Sequence, residues 1–175
     1  MPGALPQLWP QVHDAFTGVD CILHAGDLHT TGVIDELEVI APTWVSRGNG
    51  DEGIVDARLA DHWCANFAGV QIGMTHRFPS PARAAPQRLA KKIDQFFALA
   101  PDVVIYGHTH QAEMHSDGQR LYINPGSPTL PNNQSTRLGN LALLEINEAC
   151  VDARLLQISE QGVTPIDHQI LRRSA

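Results

Sequence analysis

The sequence predicts an α/β protein built from two sheets packed face to face with helices on the outside. Up to about residue 110, short apolar strands alternate with helices. After His110 the helices stop and paired strands with tight turns take over, and that mixture calls for two packed sheets. A third observation orients the site. Gly107-His108-Thr109-His110 follows the apolar run 102–106, so a strand delivers two imidazoles at its C-terminal end, where α/β sheets gather reactive groups.

The elements follow in order. Leu5, Leu8, Trp9, Val12 and Phe16 recur at helical spacing and mark an amphipathic helix. Residues 19–24 form a short apolar strand ending in Ala25-Gly26-Asp27, and 33–40 read as a helix. Pro42 starts a strand over 43–46, closed by Arg47-Gly48-Asn49-Gly50-Asp51. Residues 63–67 and 70–75 make a hairpin turning at Ala68-Gly69. A helix over 86–100 is broken by Pro101, which opens the His-x-His strand. Strands over 113–115 and 120–123 flank Asp117-Gly118, and 141–146 pairs with 151–158. Residues 165–175 carry little pattern and stay unassigned.

Composition narrows the function. At 175 residues, 43% apolar and 18% charged, the chain is sized for one globular domain spanning 1–175. Its net charge of −7 and lack of any Lys/Arg run speak against a general nucleic-acid or anionic-membrane binder. A phosphorylated substrate stays open, because a bound divalent metal can supply local positive charge. Three separated cysteines, with no signal-peptide pattern and no bilayer-length apolar run, lead to an expected cytoplasmic location.

Four polar clusters share one design: an apolar strand runs out, and a ligand-type side chain appears in the turn. They are Gly26-Asp27, Gly48-Asn49, Thr75-His76 and Gly107-His108-Thr109-His110. One Asp, one Asn and three His form an oxygen–nitrogen set that suits Mn, Fe, Co, Ni or Zn better than Ca. Each residue also has a plainer reading. Asp27 sits near a helix start, Asn49-Gly50 is a turn dipeptide, and an isolated His76 is an ordinary structural residue. All of these plain readings must hold at once to remove the metal site.

In that order, the motifs resemble the calcineurin-like metallophosphoesterases. The stretches Ile22-Leu23-His24-Ala25-Gly26-Asp27, Arg47-Gly48-Asn49-Gly50-Asp51 and Ile123-Asn124-Pro125-Gly126-Ser127 resemble the small bacterial and archaeal phosphodiesterase branch. The resemblance spans roughly residues 4–158. It implies a four-layer αββα sandwich of two mixed sheets and a two-metal site where the sheets' loops meet. Asp27 would bridge the metals, Asn49, His76 and His108 would complete one site, and His110 would belong to the other. Mn is the expected metal, and a metal-activated water would attack a phosphodiester. Asp27, Asn49 and His108 are the expected catalytic residues.

Two departures qualify the resemblance. The family's opening strand with Asp-x-His is not in this sequence, which leaves Asp27 and His110 alone at the second metal. A longer natural chain, a one-metal or scaffold variant, and a partner chain or local substitute such as His29 all account for this. The second departure is Arg77, where the family usually continues with Gly-His. It is either a solvated Arg or a bidentate phosphate contact. Gly50 replaces the His that many phosphatases of the superfamily use on the leaving group, which favours diesters over monoesters. His24 and Asp51 read as supporting residues. The expected partners are a phosphate-ester small molecule and a second copy, suggested by a free sheet edge with Trp63 and Phe67. The alternative function is an impaired or non-enzymatic protein-binding scaffold on the same fold.

Overall fold

The structure is a computed structural model, and it describes residues 7–172. Eleven strands, three α-helices and two single-turn 3-10 helices (Asn49–Asp51 and Pro131–Asn133) are present among the described residues. Helix α1 (Pro10–Ala15) starts on a proline, whose fixed φ suits the first helical position. Strand β1 (Ile22–His24), helix α2 (Gly32–Glu38), β2 (Thr43–Ser46) and β3 (Leu59–Ala60) follow, and the three strands form a parallel sheet. β4 (His62–Phe67), β5 (Val70–Thr75), β6 (Val103–Ile105), β7 (Ala112–Ser116) and β8 (Leu121–Pro125) make a five-stranded mixed sheet in the order β4-β5-β6-β8-β7. β9 (Asn140–Ile146), β10 (Cys150–Ser159) and β11 (Gly162–Arg172) form an antiparallel sheet. Helix α3 (Pro86–Phe96) crosses from β5 to β6.

The layers follow from what each face buries. Ile72, Met74, Ile105 and Ile123 of the mixed sheet pack against Val151, Ala153 and Leu155 of β10, with Leu23 of β1 and Trp44 of β2 beside them. The opposite face of the mixed sheet carries Val104, Tyr106 and Tyr122, which bury Leu89, Ile93 and Phe97 beneath α3. α1 lays Val12 over Leu141, Leu156 and Ile158, while α2 lays Ile34 over Val45. The result is the helix–sheet–sheet–helix sandwich expected from the sequence. Burying each of these aliphatic side chains is worth about 1.5–3 kcal/mol. One sheet layer is divided, however: β1-β2-β3 and β11-β10-β9 lie against the same neighbour without pairing to each other.

Four local expectations change. The helix beginning at Pro86 ends at Phe96, because Phe97 turns extended (φ −123°, ψ 130°) to bury its ring under the sheet. The unassigned tail is β11 through Arg172, and residues 173–175 lie outside the described region. Pro165 hid this strand; it is tolerated beside a register shift on an edge strand. Leu5 of the expected first helix also lies outside the described residues, and the helix itself begins at Pro10. Trp63 and Phe67 do not form an outward patch: both rings pack on Trp44, with centroids 5.5 and 5.4 Å away.

Candidate metal centre

Parallel pairing brings the C-terminal ends of β1 and β2 side by side, and the ends of β5 and β6 side by side in the facing sheet. All four polar clusters sit in the loops at those ends. A Cβ at Gly48 would fall 2.3 Å from Asp27 Oδ1, so only glycine lets the two loops touch. Gly26 has φ +96° and a virtual Cβ 2.4 Å from Ser46 O, so it needs both the missing side chain and the left-handed backbone. Asp27, His108 and His110 are themselves held at φ +64°, +71° and +56°. Such strain persists only where the surroundings over-determine the conformation, and it clusters at functional sites.

Ligand atoms of Asp27, His76 and His108 lie within 4.8 Å of one another. His76 is buried, and its Nδ1–H donates to Ala25 O at 2.6 Å. The carbonyl partner fixes the tautomer and leaves a lone pair on Nε2. That lone pair faces Asp27 Oδ2 and Asn49 Oδ1, each at 3.3 Å, with His108 Nδ1 at 3.2 Å. Acceptors converging on acceptors require a cation or a proton between them, and the donor set of carboxylate, amide oxygen and two imidazoles suits a divalent transition metal.

The electrostatics agree. Burial opposes ionisation of Asp27, yet the Gly50 N–H, which donates to Oδ1 at 2.7 Å, and the adjoining His76 and His29 rings hold its carboxyl far below the usual range. Burial lowers the His108 pKa, and Arg77 and His76 lower it further against the opposing pull of Asp27. His108 therefore stays neutral and able to donate a lone pair. His24 is pushed down to about 4 by burial, with Asp51 opposing.

His110 stands apart from this cluster, with its Nδ1–H on Leu130 O at 2.8 Å. Arg77 is exposed and donates from Nη2 to Asn49 Oδ1 at 2.8 Å, on the rim of a 370 Å³ pocket that also takes in Arg47, His62 and Phe96. His29 is not in the cluster. Its ring fills the space above Gly50, where a Cβ would meet Cε1 at 2.2 Å. Asn124, whose role the sequence alone did not reveal, is fully buried; its side-chain amide donates to Gly107 O and Thr109 Oγ1 at 3.2 and 2.9 Å, pinning the His-x-His loop. Its place in an Asn-Pro-Gly turn was the available signal.

This fold and loop chemistry define a phosphoesterase-type metal centre. The model of the calcineurin-like phosphoesterase superfamily domain matches residues 6–149, and the chain belongs to that family. A probable metallophosphoesterase of Methanothermobacter thermautotrophicus is 34% identical over 133 residues, covering 75% of this chain and 73% of that protein. Among solved structures, vacuolar protein sorting 29 of Cryptosporidium parvum matches with a TM-score of 0.80 at 15% identity, over 99% of this chain and 93% of that one. Wild-type Vps29 of Entamoeba histolytica complexed with Zn²⁺ matches with a TM-score of 0.76 at 22% identity, over 98% and 94%. The family implies a divalent metal and phosphoester chemistry.

Proposed function

We propose that this chain is a metal-dependent phosphodiesterase acting on a small-molecule phosphate ester, as a single cytoplasmic domain. The observation that carries this reading is the convergence of Asp27, His76 and His108 within 4.8 Å, with the His76 lone pair aimed at the shared centre. Asp27, Asn49, His76 and His108 would hold one metal; Asp27 and His110 would contribute to a second. Mn is the favoured ion, with Ni, Co, Fe or Zn fitting the same donors. A bound divalent ion supplies charge for phosphate oxygens and acidifies water. The chain's own contribution is positional. Asp27 stays ionised, Ala25 O sets the His76 tautomer, and Asn124 fixes the loop that presents His108 and His110. Arg77 sits on the pocket rim, where its guanidinium can meet a phosphate oxygen. Gly50 offers no side chain for leaving-group protonation, which supports diesters over monoesters.

A second reading is a protein-binding scaffold, favoured by the backbone likeness to the vacuolar protein sorting 29 chain. Hydrolysis of bis(p-nitrophenyl) phosphate separates the two. The enzyme reading expects turnover with Mn²⁺ that EDTA abolishes and His108→Ala lowers at least ~100-fold. A folded chain with no turnover under any of the five metals overturns it.

A further inference from the structure

The 370 Å³ pocket beside the metal centre holds groups that chemistry at phosphorus does not use. Asn49 and His76 line it together with His62, Asp61 and Phe96. Strand pairing explains the juxtaposition. β4 meets β5 in a register that sets His62 opposite Thr75, one residue before His76. His62 Nδ1 and Thr75 Oγ1 lie 3.0 Å apart, and this hydrogen bond fixes the imidazole beside the site. The His62 ring stacks on Phe96 of α3, with centroids 4.3 Å apart and planes 21° apart. Lys92 Nζ lies 4.8 Å from the Phe96 centroid; with one face of that ring under His62, the ammonium takes the other. Phe96 is thereby covered on both faces, and the column ends on His62, which is exposed. The open face of His62 is a flat aromatic platform next to a metal ligand. The pocket wall also carries a polar pair, Arg47 Nε and Asp61 Oδ1 at 3.5 Å, with the Asp61 side chain 78% exposed.

We propose that this pocket receives a nucleobase on one ester arm of the substrate, stacked on His62, while the phosphate sits at the metal centre. The inference rests on the phosphodiesterase reading and narrows its substrate class to nucleoside phosphate esters. Ligand pockets span roughly 300–1,000 Å³, and this one lies at the small end, sized for a single nucleoside arm and not for a strand. Stacking accepts any base, because every base has a π-face. The Arg47–Asp61 pair favours a base over a hydrocarbon ring. Amino groups and ring nitrogens can bond the carboxylate and the guanidinium, whereas a plain ring would strip water from both without return. Were the His62–Phe96 stack only a seal over the end of α3, it would not discriminate among phosphate ligands.

Calorimetric titration of the Mn²⁺-loaded protein with adenosine 5′-monophosphate, ribose 5-phosphate and phenyl phosphate tests this without requiring turnover. The adenosine compound is expected to bind at least about tenfold tighter than either of the others, the share of one base–aromatic stack. His62→Ala should bring it to within about twofold of ribose 5-phosphate. His62→Phe, which keeps a ring and loses the Thr75 hydrogen bond, should retain the preference. Phe96→Leu removes the ring beneath His62 and serves as the second variant if His62→Ala fails to fold; it should lower the preference at least about threefold. Equal affinity for the adenosine compound and ribose 5-phosphate overturns this inference and leaves the phosphodiesterase reading standing. Equal affinity for phenyl phosphate, or a preference that His62→Ala does not reduce, overturns it as well. If none of the three binds the loaded protein, the phosphate site itself is lost and both readings fall.

Discussion

The buried Asp51 carboxylate accepts the backbone N–H of Asp27 at 2.8 Å, so one aspartate holds the other in its left-handed conformation. The same carboxylate takes the N–H groups of Gly48 at 2.8 Å and His29 at 3.0 Å, tying the loop after β1 to the loop after β2. Asp51→Ala leaves these donors unpaired and is expected to cost about 2–5 kcal/mol in urea unfolding. Metal affinity should fall with it, by calorimetric titration.

The Gly48 contact predicts a sharper separation of effects. Gly48→Ala places a methyl 2.3 Å from Asp27 Oδ1 and 2.4 Å from Asp27 N, so the carboxylate and the turn that carries it must both move. The expected outcome is a loss of Mn²⁺ binding of at least ~100-fold in calorimetry, with far-UV circular dichroism unchanged.

Acid should destabilise the metal-free protein through His24. Its folded pKa of about 4 lies below the ordinary histidine value, so the unfolded state binds the proton first. Stability is then full above about pH 6.5 and falls as pH drops toward 4, by roughly 2 kcal/mol at pH 5. His108, also lowered, acts in the same direction. Asp27 adds nothing in this window, because its carboxyl is ionised in both states well above the ordinary Asp pKa. His24→Gln should flatten the pH 7 to 5 slope in denaturant melts; an unchanged slope contradicts the assignment.

Arg77 makes its hydrogen bond to Asn49 from an exposed position. If its guanidinium meets the phosphate equally in ground and transition states, Arg77→Ala should raise KM about tenfold and leave kcat within twofold. Steady-state kinetics on bis(p-nitrophenyl) phosphate reads this directly.

Much of the site was legible because it is written locally. Strand-end motifs such as Gly26-Asp27 and Gly107-His108-Thr109-His110 keep their meaning without tertiary context, and α3 was bracketed by Pro86 and Pro101. What stayed hidden depends on long-range partners. Asp51 reads as a supporting residue, but the backbone groups of Asp27, His29 and Gly107 that it and Asn124 hold lie 17 to 24 residues away, which no spacing reveals. β11 was masked by Pro165, and the two-residue β3 is too short to carry a period. The aromatic pair Trp63 and Phe67 read as surface from their strand alone; Trp44, on the other sheet, covers them.

The most direct test of the account is a crystal structure of the Mn²⁺-soaked protein with anomalous data collected at the manganese edge. The account predicts a peak about 2.0–2.3 Å from Asp27 Oδ2, His76 Nε2 and a nitrogen of His108. Full soaking with no peak at these atoms, or a peak held by other residues, would contradict it.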